Sequence, residues 1–79
     1  MAKSGKLRVK IIGVGKKDAF HTNRARINGL VGVMDIQRHR GHGFYHGTFV
    51  PDKPAVVHEN TDHDTTDFLF YSVRIREVE

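Results

Sequence analysis

The sequence predicts an all-β domain, a small barrel of about five antiparallel strands. Three observations carry that expectation. The segments Lys6–Gly15 (KLRVKIIGVG) and Ile27–Gln37 (INGLVGVMDIQ) read as strands: Leu7, Val9 and Ile11 alternate with Arg8 and Lys10 at the period of two of a half-buried strand, and the second segment carries Gly29 and Gly32 ahead of Met34 and Ile36. No stretch of the 79 residues repeats apolar positions at helical spacing. Polar turns rich in glycine, proline and aspartate separate the apolar runs. A sheet of this size must bury one face, and closing it on itself also removes exposed strand edges.

The elements follow in chain order. Met1–Gly5 reads as a short disordered tail, and residues 6–79 as one domain. In the first strand Leu7, Val9 and Ile11 share a face, with Ile12 and Val14 on the other, while Gly13 and Gly15 suggest a bend or bulge. Lys16–Asn28 has no clean period and reads as a long loop, with room for one helical turn capped by Thr22 or Asn23. In the second strand Leu30, Gly32, Met34 and Ile36 share one face. Arg38–Gly43 is a turn built on two glycines, leading to a third strand at Phe44–Val50. Pro51 and Pro54 stop that strand, because proline donates nothing to a ladder. Ala55–His58 reads as a short fourth strand and Glu59–Asp67 as an exposed polar loop. In the last strand, Phe68–Val78, Leu69, Tyr71, Val73 and Ile75 alternate with Phe70, Ser72, Arg74 and Arg76.

Length and charge narrow the function classes. A chain of 79 residues holds one small domain and has a thin stability margin. It has no cysteine, which excludes disulfides and thiolate zinc sites and fits a cytoplasmic location. No apolar run is long enough for a signal peptide or a membrane-spanning helix. The formal charge of +4 is unevenly spread. Residues 1–50 carry ten Lys and Arg against Asp18 and Asp35, a formal +8, whereas residues 51–79 carry three against seven acids, a formal −4. Clustered in space, the basic residues make an electrostatic footprint for a polyanion; dispersed, they are solvated faces.

At the second strand the pattern resembles the KOW motif of SH3-like barrels in ribosomal and transcription-elongation proteins. Gly29, Gly32, Met34 and Ile36 stand where that motif places a glycine, a second glycine three residues on, and alternating aliphatics. The loop Lys16–Asn28 is longer than the short basic turn of that family. The layout is also similar to photosystem I subunit IV and related SH3-like accessory subunits, and to small cysteine-free barrel proteins encoded by phages. The resemblance implies an SH3-like barrel that works as a binding module.

Four kinds of chemistry are conceivable on these residues. The first is a nucleic-acid surface in which Lys16, Lys17, Arg24, Arg26, Arg38 and Arg40 neutralise phosphates and Phe20 or Tyr45 stacks on bases. Nothing in the sequence specifies a base contact, so such binding is directed at the RNA or DNA backbone. In the opposing reading Phe20 plugs the barrel end and the charges only keep the chain soluble. The second is metal binding, by His39, His42 and His46 or by His58, Asp62, His63, Asp64 and Asp67. No spacing aims either group at one point, so these residues read as solvated and neither metal nor cofactor is expected. The third is catalysis. Ser4 and Ser72 lack a nearby base, and Gly13-Val14-Gly15-Lys16-Lys17 lacks the spacing of a phosphate-binding loop, so no catalytic residue is assigned. The fourth is protein docking, as an accessory subunit or a phage-encoded modulator of a host complex, through strand edges or the apolar residues on both faces of the last strand. The expected partner is therefore nucleic acid or a larger protein or ribonucleoprotein complex.

Overall fold

Alternation of apolar and polar residues generates four strands: β1 (Gly5–Val14), β2 (Val31–Gly41), β3 (Phe44–Pro51) and β4 (Phe68–Glu77). They come from a computed structural model that describes residues 5–20, 22–55 and 66–78. All pairings are antiparallel, in the order β1-β2-β3-β4, and β4 pairs back onto β1 to close the barrel. This small closed all-β barrel is compatible with an SH3-like barrel. Among the described residues the expected fourth strand leaves only an isolated bridge at Ala55; Val56–His58 lie outside them. So do Met1–Ser4 and most of the loop Glu59–Asp67, with His58, Asp62, His63 and Asp64 of the second histidine–aspartate group.

In β1 and β2 the inward face is the one that carries Val9, Ile11, Met34 and Ile36 in the alternation. Val9, Ile11, Met34, Ile36, Phe49, Phe68, Phe70 and Val73 are buried. Phe49 has the rings of Phe68 and Phe70 at 5.5 and 5.9 Å, and those two meet edge-on at 4.7 Å. Each such side chain taken out of water contributes roughly 1.5–3 kcal/mol.

Three sequence expectations change. Ile27 does not open the second strand. It closes a helical turn, α2 (Arg24–Ile27), by donating its N–H to Asn23 O at 3.1 Å, and its side chain is fully buried in the core. The long loop thus holds two helical turns, α1 (Lys16–Ala19) and α2, and β2 starts only at Val31. Second, Arg38, His39 and Arg40 are strand rather than turn. The reversal is confined to His42-Gly43, with φ of +54° and +81°, the positive pair that a two-residue hairpin needs. Third, the last strand does not keep one alternation. His46 of β3 stands opposite both Tyr71 and Ser72, because Tyr45 pairs with Val73 and Gly47 with Phe70. The extra residue flips the pattern: Phe68, Phe70 and Val73 point in, while Leu69 and Tyr71 are exposed.

Further irregularities fall at Ile12 in β1 and at Gln37 and Arg40 in β2. That in β1 lies beside Gly13, as its glycines suggest. Extra residues of this kind bend strands and re-aim side chains.

On the outer surface Arg8 donates two hydrogen bonds to Asp52, at 2.8 and 2.6 Å. The bonded guanidinium holds the Asp52 carboxyl below its ordinary range. A depressed carboxyl supports the fold above its unfolded-state value and loses that support as pH falls through its folded one. Both groups are solvated, so the effect is small. Asp52→Asn is expected to melt slightly below the parent at neutral pH, with the two curves converging as pH falls below the carboxylate range; thermal melts across pH check this.

Candidate functional site

The first basic loop is held to the barrel by an acid. Asp18 is 3% exposed, and its carboxylate accepts the backbone N–H of Tyr71 at 2.9 Å and of Ser72 at 2.6 Å. These are the two residues that share one partner across the strand pair. The bulge removes regular ladder geometry from those N–H groups, and Asp18 satisfies both. Thr22 Oγ1 donates to Asp18 O at 2.6 Å, and Gly15 N–H donates to Ser72 O at 2.7 Å. A Cβ on Gly15 would meet Ser72 O at 2.8 Å, so only glycine lets α1 begin this close to β4.

The clasp fixes Lys16 and Lys17 across a cleft from the hairpin tip. The cleft has a volume of about 410 Å³ and is lined by Gly15, Lys16, Lys17 and Ser72 on one side and Arg40, Gly41, His42 and Phe44 on the other. The Arg74 guanidinium lies over the Phe44 ring at 4.8 Å. A second hollow of about 310 Å³ is lined by Gln37, Arg38, Arg40 and His46. Arg40 belongs to both. Among the described residues, no carboxylate lines either hollow.

The structure sorts the eight residues that the sequence suggests. It brings Lys16, Lys17 and Arg40 together in one cleft and Arg38 with Arg40 in the adjoining hollow. Arg24 and Arg26 are exposed on α2 and line neither. Phe20 ends α1 and is 77% exposed, which rules it out as a plug; Ile27 enters the core instead. Tyr45 lies half-buried against the core with its ring 4.8 Å from that of His39, and the aromatic wall of the cleft is Phe44. Of the other lining residues, the sequence does not single out Gln37, weighs His46 only as a metal ligand and rejects Ser72 as a nucleophile. The bulges that bring Gln37 and Ser72 there have no local sequence signature.

His39, His42 and His46 do not converge: His39 lies on Tyr45, and His46 meets Tyr71 edge-on at 5.3 Å. Among the described residues, no group of three His, Asp or Glu side chains is placed to hold a metal ion. No helix among them is long and apolar enough to cross a membrane.

Comparison with protein-family models, curated proteins and solved structures gives no match.

Proposed function

We propose that this domain is a non-catalytic, cytoplasmic binding module that attaches to the backbone of nucleic acid through the cleft between α1 and the β2–β3 hairpin. The observation that carries the reading is the convergence of Lys16, Lys17 and Arg40 on one cleft with an aromatic wall and no carboxylate among the described lining residues. Lysine and arginine neutralise phosphates, and Phe44, the aromatic lining residue, carries the Arg74 guanidinium over its ring as a further cation beside the cleft. A likeness to KOW-type barrels belongs to the same proposal, supported by Gly29, Gly32, Met34 and Ile36 on β2 and its approach.

The test is a titration of mixed-sequence oligonucleotides at low salt. Arg38→Ala combined with Arg40→Ala is expected to weaken binding at least tenfold on every sequence, whereas Arg24→Ala with Arg26→Ala changes it less than threefold. Absence of binding by the parent protein would overturn the proposal.

A second reading, docking onto a larger protein or ribonucleoprotein complex, rests on a different observation. Val33 and Val50 face each other on the outer surface of β2 and β3, with Leu69 and Tyr71 exposed on neighbouring β4. Retention of a partner from nuclease-treated lysate by the double arginine variant would favour it.

A further inference from the structure

Resting on the nucleic-acid reading above, we infer that the ligand is single-stranded and crosses the hairpin at Arg40, occupying the two hollows with successive nucleotides. The two hollows share a wall. Arg40 lines the cleft of Lys16, Lys17 and Phe44 on one side and the hollow of Arg38, Gln37 and His46 on the other.

Arg40 owes that place to the β2–β3 register. His39 pairs with Tyr45 and Gly41 with Phe44, so Arg40 is an extra residue with no direct partner, and Gln37 is a second one between Ile36 and Arg38. Extra residues in a strand re-aim their side chains. Both bulged residues line the second hollow.

Each hollow, at about 410 and 310 Å³, lies at the lower end of the range for small-ligand sites. A flexible strand can place a base or a phosphate in each and bend over the guanidinium between them. A duplex cannot insert a base, because its bases are stacked inside, and it cannot bend sharply over the guanidinium, because its phosphates lie on a stiff, regular surface. The only helices among the described residues, α1 and α2, have four residues each and are too short to fill a major groove, and the β2–β3 hairpin is not a free ribbon, because Phe44 and Tyr45 stay paired with Arg74 and Val73 of β4.

His46 also lines the second hollow. His46 Nδ1 is buried and has no hydrogen-bond partner among the described residues. Arg38 and Arg40 with their guanidinium groups and Gln37 with its amide line the same hollow, a donor-rich set suited to a phosphate oxygen.

The experiment compares an oligothymidylate on the order of ten nucleotides long, within the usual site size of an OB-fold barrel, with a G·C-rich duplex that stays paired at low salt. Both are titrated at the same low salt against the full chain. The expected result is single-strand binding at least tenfold tighter than duplex binding. Arg40→Ala should lose at least tenfold on the single strand, Arg40→Lys should recover part of the loss, and Arg24→Ala should match the parent. Equal or tighter duplex binding would overturn the single-strand inference and leave the basic-cleft reading standing. An Arg40→Ala loss no larger than that of Arg24→Ala would overturn both the crossing at Arg40 and the basic-cleft reading. Binding of neither probe would overturn both.

Discussion

Asp18→Ala is expected to lower the melting temperature of the domain by about 20 °C. The carboxylate satisfies two part-buried N–H groups, those of Tyr71 and Ser72, at the bulge of β4. Removing it leaves both donors without partners, at a cost of about 3–5 kcal/mol in all. A domain of this length shifts by about 4–8 °C for each kcal/mol. Stabilities of small domains are commonly about 5–15 kcal/mol, so the loss is a large part of the total. Asp18→Asn keeps one carbonyl acceptor but turns an amide N–H toward the second donor, so its melt should fall between those of the parent and the alanine variant. Thermal melts followed by circular dichroism check the order. An alanine variant melting within a few degrees of the parent would show that the clasp does not hold the bulge. The same contact carries α1, so its loss also releases Lys16 and Lys17 from their place opposite the hairpin tip.

Gly32→Ala is the second large effect. Gly32 is buried on the inward face of β2, paired with Val9 on one side and Pro51 on the other. A Cβ there would run into Val50 O and come within 2.7 Å of Pro51 Cα. These are backbone atoms of the adjacent strand, so relief requires β3 to move and the barrel to open locally. The cost is about 3 kcal/mol, at the upper end of the usual overpacking range. Gly29 provides the contrast. Its φ is +96°, but a Cβ there meets nothing within 4 Å. Gly29→Ala should therefore cost only the backbone strain of about 1–2 kcal/mol. Chemical denaturation of the two variants separates the cases: Gly32→Ala should unfold at clearly lower denaturant than Gly29→Ala. Equal midpoints would contradict the close approach of β2 and β3.

These two positions show where the sequence is readable. The spacing of Gly29, Gly32, Met34 and Ile36 signals a barrel strand because glycine next to alternating aliphatics marks close backbone approach, and Gly32 meets that demand. The period of Leu7, Val9 and Ile11 likewise marks one face, of which Val9 and Ile11 are fully buried and Leu7 packs against the core. The period fails where the strands bulge. One extra residue at Tyr71–Ser72 moves Val73 to the core and leaves Tyr71 outside, and no composition rule announces it. The site was legible only in part for the same reason. Lys16, Lys17, Arg38 and Arg40 stand out as basic residues in the sequence, but their meeting depends on bulges and on the Asp18 clasp. Asp18 itself had one faint signal, as the lone acid of the basic segment Lys16–Asn28. Arg24 and Arg26 share that composition and are carried away from the cleft because Ile27 must turn inward to the core.

The most direct measurement of the proposed function is the salt dependence of oligonucleotide binding. Four cations, Lys16, Lys17, Arg38 and Arg40, line the two hollows. If each neutralises one phosphate of a single strand, log affinity should fall against log salt with a slope of about −2.8. The Arg38→Ala, Arg40→Ala double variant should bind more weakly, with a slope of about −1.4. A slope near zero, or the same slope in the parent and the double variant, would contradict attachment of a nucleic-acid backbone at this cleft.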